Sequence, residues 1–402
     1  MENRENGIGR RWDGRGLRLV ALVLAVGLAG CTVLRLERPK VVDADDWLTE
    51  GDSPRRENRA DVTLDPPLEE AWTVNAGAAF GPVSPLLLGE TVLVGTRKGE
   101  VVAIHVDDGK KLGTQGFGDV IEGSPVIADG VLFVPVAWGK KTLRAYDLAT
   151  AKDRWARRDL PPIEAGLLLL DDVLIAVDVE SVAHAVEVKT GKERWSATLD
   201  ERASVLATPV ASDAGNVIVA DDRGRVVALR PEDGSVVWTR DLGAPVEVTP
   251  TTDGRTVFLA TTRARLFALD ADRGAVRWVF EMDDPTVRVA APARSGGDLV
   301  FGGSDGVLRN VDPATGALRW TFEAPDAITA APLITRSTVY FGTMGRMLYG
   351  VDRSTGEKLW EHRLKGRVKS PMAARDGILV VLTEPHEVYL FRPAKKALAA
   401  KK

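Results

Sequence analysis

Short apolar runs, separated by polar turns, recur along the chain from residue 72 onward. Residues 299–302 (Leu-Val-Phe-Gly) and 307–311 (Val-Leu-Arg-Asn-Val) are typical, because they are rich in β-branched side chains or alternate apolar with polar ones. Runs of this length and composition favour strands. No stretch after residue 31 has a clear helical period. The pattern predicts an all-β protein built from many short strands.

One unit of sequence joins strand to strand. It reads Val-Asp-Pro-Ala-Thr-Gly-Ala-Leu-Arg-Trp at 311–320, returns at 351–360, and returns more loosely at 269–278. An Asp side chain accepts hydrogen bonds from backbone N–H groups two or three residues on, Gly supplies the positive φ of a tight turn, and Trp covers about 150–250 Å² of a sheet face. We expect scaffold roles for the recurring residues, which are Asp147, Trp155, Gly191, Trp195, Gly234, Trp238, Asp270, Gly274, Trp278, Asp312, Gly316, Trp320, Asp352, Gly356 and Trp360.

The tryptophans set the length of the repeat. Seven of the ten share one phase, and from Trp155 on their spacing is 40 to 43 residues, whereas Gly113 stands where the second would fall. A small residue followed by Pro marks each unit from Ser84 to Ser370, except that Ala165-Gly166 replaces it in the third. A four-stranded unit of this length is a propeller blade. We predict an eight-bladed β-propeller of four-stranded antiparallel blades, in which the strand around Trp72 joins the last blade and closes the ring.

The N-terminus has the pattern of a signal peptide. Arg10, Arg11, Arg15 and Arg18 precede an apolar run at 19–29, which is too short to span a bilayer comfortably. The run ends in Leu-Ala-Gly-Cys at 28–31, which resembles the lipobox of bacterial lipoproteins, and Cys31 is the only cysteine in the chain. We predict a signal peptide at 1–30 and a covalent lipid at Cys31; the alternative is a cleaved secretory signal with an incidental Cys. Residues 31–70 are interpreted as a flexible tether, 71–393 as the propeller and 394–402 as a solvated basic tail.

Candidate chemistry is sparse. The formal net charge of -4 argues neither for nucleic acid nor for an anionic membrane surface as a partner, and we expect no nucleic acid. The four histidines, His105, His184, His362 and His386, fall in different units at no metal-ligand spacing. There is no cysteine pair, no acidic loop spaced for a hard cation, and no nucleophile or phosphate-binding motif. The sequence predicts no enzyme, no metal and no cofactor.

The Asp-x-x-Thr-Gly-x-x-x-Trp repeat resembles the PQQ-type propeller repeat, and the resemblance covers residues 72–392. Two families use this repeat: the pyrroloquinoline-quinone dehydrogenases and BamB. A lipobox, a short tether, eight units and no further domain together resemble BamB. This implies a non-catalytic outer-membrane lipoprotein facing the periplasm, held by its lipid alone, which assists folding and insertion of outer-membrane β-barrel proteins. The alternative is a lipid-anchored PQQ-dependent dehydrogenase or another ligand-binding envelope propeller.

The resemblance to BamB also implies a partner. The family contacts a POTRA domain of the barrel-inserting subunit, as a monomer within a complex, through the loops that join the third, fourth and fifth blades. Those loops fall near 199–208 and 241–249 here. The candidate partner-binding residues are Arg202, Val205, Leu206 and Glu247. The first loop is shorter than in enterobacterial members, so Val205 and Leu206 are its apolar candidates, and Arg202 could form a charge-assisted pair with a partner carboxylate.

Overall fold

A computed structural model of the protein describes residues 33–36, 46–200 and 202–394. The predicted signal peptide, the predicted lipid site at Cys31 and the tail from residue 395 on lie outside the described residues. Apart from one turn of 3₁₀-helix at Glu50–Asp52, every regular element in the described part of the chain is a strand.

The strands are short, as their sequence pattern predicts. In chain order they are β1 (Leu68–Asn75), β2 (Leu86–Leu88), β3 (Thr91–Gly95), β4 (Glu100–His105), β5 (Lys111–Gly116), β6 (Val126–Ala128), β7 (Val131–Pro135), β8 (Leu143–Asp147), β9 (Lys152–Arg157), β10 (Leu168–Leu170), β11 (Val173–Val177), β12 (Val182–Glu187), β13 (Glu193–Thr198), β14 (Val210–Ala211), β15 (Val217–Ala220), β16 (Arg225–Leu229), β17 (Val236–Asp241), β18 (Thr251–Thr252), β19 (Thr256–Ala260), β20 (Arg265–Asp270), β21 (Val276–Glu281), β22 (Ala293–Ser295), β23 (Asp298–Phe301), β24 (Val307–Val311), β25 (Leu318–Glu323), β26 (Leu333–Ile334), β27 (Thr338–Gly342), β28 (Met347–Asp352), β29 (Lys358–Arg363), β30 (Ala373–Arg375), β31 (Ile378–Thr383) and β32 (Glu387–Pro393).

These strands form eight antiparallel sheets of four. Blades 1 to 7 each use four consecutive strands, from β2–β5 to β26–β29, and the first of the four lies innermost. Blade 8 combines β30, β31 and β32 with β1 as its outermost strand, in register from Leu68 opposite Pro393 to Asn75 opposite Glu387. The eight-bladed ring and its closure by the Trp72 strand are therefore confirmed. Closure pairs the strand edges that the two chain ends would otherwise expose.

Tryptophans join neighbouring blades at six of the eight junctions in the described part of the chain. The indole N–H of Trp320 in blade 6 donates to the carbonyl of Arg353 in the turn between β28 and β29 of blade 7, at 2.9 Å. Its ring lies against Gly356, where φ is +77° and an added Cβ would approach the ring to 2.7 Å. Gly is required there for its backbone conformation and for its lack of a side chain. The same pair recurs as Trp72–Gly109, Trp155–Gly191, Trp195–Gly234, Trp238–Gly274 and Trp278–Gly316.

The aspartates of the repeat hold these turns, as expected. The Asp312 side chain accepts hydrogen bonds from the N–H groups of Ala314 and Thr315 at 2.8 and 3.1 Å. Its second oxygen accepts one from Arg319 at 2.6 Å, and this bond holds the pKa of Asp312 below its usual value. Sequence reasoning missed the Arg seven residues after the Asp; the same pairing joins Asp270 to Arg277.

The junction between blades 1 and 2 has no tryptophan, and an N-terminal segment fills its place. Gly113 stands where blade 1 would carry the indole, and Ala151 replaces the turn Gly of blade 2. The backbone N–H of Leu36 donates to the carbonyl of Leu148 at 2.8 Å. Leu148 holds the turn position whose carbonyl accepts the indole N–H at other junctions. Leu34 is fully buried, and its carbonyl accepts the Tyr146 hydroxyl at 2.7 Å.

The prediction of a flexible tether is wrong for the described residues before β1. Trp47 is almost fully buried, and residues 47–58 run across the inner edges of the blades. Their carbonyls accept N–H groups of innermost strands at 2.8–3.0 Å, and the pairs are Leu87 to Trp47, Ile127 to Leu48, Ala211 to Pro54, Thr252 to Arg55, Arg294 to Glu57 and Ile334 to Asn58. The innermost strand of a blade is a sheet edge with unpaired donors. Residues 47–58, the inner segment, satisfy one such donor in each of blades 1, 2 and 4 to 7.

Arg56 fixes the inner segment at its centre. It is fully buried, and its guanidinium donates to the carbonyls of Glu50 at 2.8 Å and Leu167 at 2.5 Å and to the Thr49 hydroxyl. Burial lowers the pKa of Arg56 to about 10, and the charge of Glu50 opposes that shift. A buried cation needs such acceptors because its desolvation is costly.

Candidate interaction surface

Small hydroxyl residues face the axis of the ring, as their position before Pro predicts. The backbone N–H of Ser84 donates to the hydroxyl of Ser124 in the next blade at 3.0 Å. The Ser370 hydroxyl in turn donates to the carbonyl of Gly81 at 3.1 Å, across the closure of the ring. In blade 3, Gly166 occupies this position, since an added Cβ would lie 2.4 Å from the hydroxyl of Thr208. These contacts leave little room along the axis.

The axial cavity that remains is narrow and closed on one side. Its volume is about 90 Å³, and Glu50 of the inner segment lies in its wall, where it accepts the Thr208 hydroxyl at 2.7 Å. Pockets for drug-sized ligands have volumes of about 300–1,000 Å³. The axial cavity is therefore smaller than such pockets. Within the described ranges, no group of three His, Cys, Asp or Glu side chains is placed to hold a metal ion.

The mouth of this cavity is acidic and apolar on one side. In blades 2 to 5, the residue two places before the axial Ser, Thr or Gly lines the cavity. These residues are Glu122 in blade 2, Glu164 in blade 3, Leu206 in blade 4 and Glu247 in blade 5. We call these four residues the mouth sector. The corresponding residues of blades 1, 6 and 7 are Pro82, Val289 and Thr329, so the acids are confined to one side.

Two of the four predicted partner-binding residues lie in the mouth sector. Leu206 is 42% exposed, and Glu247 stands beside it on the next blade. Arg202 is also exposed, and its carbonyl accepts a hydrogen bond from Arg223 at 2.8 Å. Val205 is only 1% exposed and packs in the apolar core that blades 3 and 4 share, so its prediction as a contact residue is wrong.

Alternation within the loop gives the physical reason for the Val205 error. Ala203, Val205 and Ala207 are buried, whereas Arg202 and Leu206 are exposed. The loop is extended, so successive side chains point to opposite faces. Assuming this two-residue alternation would have assigned Leu206 and Val205 to opposite faces of the loop from the sequence alone.

Glu247 has an ion-pair partner that sequence reasoning missed. Its carboxylate pairs with the exposed Arg288 of the following blade connection. Beside this pair lies a second cavity of about 170 Å³, with Val248, Val289 and Ala290 in its wall. Arg288 follows Glu247 by 41 residues, which is one repeat length. The residue at the position equivalent to Glu247 in the next unit is Val289, so a comparison of equal positions in neighbouring units misses Arg288 by one residue.

Eight four-stranded blades, joined at six junctions by an indole that lies on the turn Gly of the next blade, define an eight-bladed β-propeller with PQQ-type repeats. The family model for the outer membrane protein assembly factor BamB matches residues 59–205, 178–327 and 304–395. The chain therefore belongs to the BamB family, which confirms the family resemblance seen in the sequence.

Characterised relatives match part of the chain. BamB of Salmonella typhimurium is 31% identical over 235 residues, which are 53% of this chain and 60% of that protein. BamB of Escherichia coli is 31% identical over 217 residues, which are 49% of this chain and 55% of that protein. The chain thus spans little more than half the length of these relatives.

Solved structures share the fold. The crystal structure of BamB from Moraxella catarrhalis has a TM-score of 0.68 at 18% identity, over 81% of this chain and 99% of that one. Quinohemoprotein alcohol dehydrogenase from Comamonas testosteroni has a TM-score of 0.71 at 15% identity, over 87% of this chain and 80% of that one. Both likenesses concern the fold alone. In the described part of the chain, no helix is long and apolar enough to cross a bilayer.

Proposed function

We propose that this protein is a non-catalytic lipoprotein scaffold of the machinery that assembles outer-membrane β-barrel proteins. The match of the BamB family model across residues 59–395 carries the proposal. In this proposal, a lipid on Cys31 holds the chain to the outer membrane, and the propeller faces the periplasm as one copy within a complex. The narrow axial cavity supports a binding role rather than a catalytic one.

The partner in this proposal is a periplasmic POTRA domain of the barrel-inserting subunit, and the mouth sector is its contact surface. Leu206 offers an exposed apolar side chain, and Glu164 and Glu247 flank it on the neighbouring blades. An apolar centre with a charged rim suits a protein–protein contact. Arg202, at the edge of the same loop, adds a donor for a partner carboxylate.

A site-specific crosslink tests the contact. A photoreactive amino acid at position 206 is expected to crosslink to the barrel-inserting subunit in native envelopes, whereas the same probe at Leu318 is not. Leu318 is a matched control because it is 52% exposed and lies on the outer strand of blade 6. Mass spectrometry of the crosslinked band identifies the partner.

A charge substitution sharpens the test. Leu206→Asp is expected to reduce recovery of the barrel-inserting subunit from detergent extracts by about tenfold, because one buried apolar contact at an interface is worth roughly 1–2 kcal/mol. Leu318→Asp is expected to leave recovery unchanged. If the subunit is absent from extracts of the unaltered protein, the proposed function is wrong. If Leu206→Asp has no effect, the function stands and the contact surface is wrong.

A further inference from the structure

Residues 33–36 fix the place where the N-terminal part of the chain reaches the propeller. Val33 forms a parallel bridge with Thr114 on β5, the outer strand of blade 1, and Leu36 bonds to blade 2. Val33 is 56% exposed, whereas Leu34 is fully buried. The segment is therefore anchored at the outer rim of blades 1 and 2, with one apolar side chain left in solvent.

Chain length ties this rim to the predicted lipid site. Only one residue stands between Cys31 and Val33 in the sequence. A fully extended chain advances at most about 3.5 Å per residue. Two steps along the chain therefore span at most about 7 Å, which is far less than a flexible tether over residues 31–70 would reach. This part of the argument depends on the lipid at Cys31 and so on the proposed function.

Charge singles out the same rim independently of the lipid. The outer strands of blades 3 to 6 each carry one Arg and one acid, so they are electrically balanced. In contrast, β5 carries Lys111 and no acid, and β9 carries Lys152, Arg154 and Arg157 against Asp153. The outer strand of blade 8, β1, carries two acids and no base. The outer strand of blade 7, β29, is also net positive, with Lys358 and Arg363 against Glu361, and Arg154 and Arg157 of β9 pair with Asp147 and Asp159. Blades 1 and 2 are nevertheless neighbours whose outer strands are both net positive, and they lie where the chain enters the propeller.

Several of these cations are free to meet an external anion. Among the described residues, five exposed cations at this rim make no ion pair, and they are Arg35, Lys110, Lys111, Lys152 and Arg158. Two apolar side chains, Val33 and Leu112, are exposed among them. Unpaired lysines and arginines beside exposed apolar groups are the pattern that anionic lipid headgroups attract.

We propose that the outer rim of blades 1 and 2, formed by β5, β9 and residues 33–36, lies against an anionic phospholipid surface. The rim contact then sets the orientation of the propeller on the membrane. A bilayer surface suits this flat arrangement because its charge is spread over many headgroups and needs no pocket.

Vesicle sedimentation tests the proposal. The chain from Thr32 on, which forms one compact unit without the lipid, is mixed with vesicles of phosphatidylcholine alone or with phosphatidylglycerol added. We expect sedimentation with the anionic vesicles only, and its loss at high salt, because exposed charges are screened beyond about 10 Å at 0.1 M salt. Equal binding to both kinds of vesicle, or to neither, overturns the proposal.

Paired charge reversals locate the surface. Lys110→Glu with Lys111→Glu is expected to weaken vesicle binding at least tenfold, since each cation near an anionic surface contributes substantially. Arg263→Glu with Arg273→Glu is the matched control, because both arginines are exposed on blade 5 and make no ion pair within the described residues. Equal loss in both variants overturns the rim assignment. Unchanged thermal unfolding shows that either variant is folded.

Failure of the two proposals can be told apart. Vesicle binding is measured without the lipid and without a partner protein, so it does not depend on Cys31 or on the assembly machinery. Loss of binding leaves the crosslink from position 206 as an independent test of the proposed function.

Discussion

Two junctions, between blades 6 and 7 and between blades 1 and 2, satisfy the same turn carbonyl with different donors. At the first, Trp320 donates its indole N–H to the carbonyl of Arg353. At the second, the backbone N–H of Leu36 donates to the corresponding carbonyl of Leu148. Both junctions thus contain a donor and an apolar filler, but only one of them uses tryptophan. A distant stretch of chain can supply both.

The difference extends to the turn beneath. Gly356 lies under the Trp320 ring and has no room for a side chain. Ala151 holds the same turn position in blade 2, with φ of +57°, where there is no indole above it. The Trp and the turn Gly therefore depend on each other. Where a junction lacks the Trp, the turn position can carry a residue other than Gly.

The largest expected effect comes from removing the indole. Trp320→Ala should destabilise the propeller by about 3–5 kcal/mol, because it leaves a cavity and an unpaired carbonyl. Chemical denaturation monitored by circular dichroism measures the change. Leu34→Ala is the comparison at the other junction, and a loss of about 2–3 kcal/mol is expected there for a fully buried Leu. A negligible loss in Leu34→Ala would show that residues 33–36 do not act as a wedge.

Substitutions at the turn position are expected to differ in their effect on stability between the two junctions. Gly356→Ala should cost about 2–3 kcal/mol, since the new Cβ adds backbone strain at positive φ and overlaps the ring. Ala151→Gly should change stability by less than about 1 kcal/mol, because relief of strain offsets the greater freedom of the unfolded chain. Thermal unfolding of both variants checks the pair. Equal changes would mean that the indole does not dictate the Gly.

The smallest effect concerns one hydrogen bond of the substitute wedge. Tyr146→Phe removes the hydroxyl that donates to the Leu34 carbonyl and leaves the ring in place. A loss of about 1 kcal/mol is expected, as for a typical buried hydrogen bond. Tyr349→Phe, in blade 7, is the control, since the ring of Tyr349 is buried in the apolar core of blades 6 and 7 and its hydroxyl does not bond to Leu34. Amide hydrogen exchange of residues 34 and 36 should rise in Tyr146→Phe alone.

The repeating part of the fold could be predicted from the sequence because the residues that determine it recur at a regular spacing. Most blades carry Asp, Gly and Trp at one spacing, so spacing alone gave the ring, the number of blades and the closing strand. The inner segment makes a single backbone contact with each blade it meets, and backbone carbonyls are the same in every residue. Its sequence therefore carried no period, and it was mistaken for a tether.

The candidate site was predictable only in part. Leu206 and Glu247 were found through their loops, but Val205 was misplaced because the alternation within 203–207 was not used. Glu122 and Glu164 were missed because they lie on other blades and come together only when the ring closes. Sites built at the axis of a ring are distributed over the whole chain, which no local motif records.

The inner segment also constrains the order of assembly. Residues 47–58 leave the ribosome before any blade, yet their partners extend from Leu87 to Ile334. The carbonyls of Pro54, Arg55, Glu57 and Asn58 find their donors only after blades 4 to 7 have been synthesised. This early part of the propeller unit is therefore seated late, and a nascent chain must keep that stretch available until the circle is nearly complete.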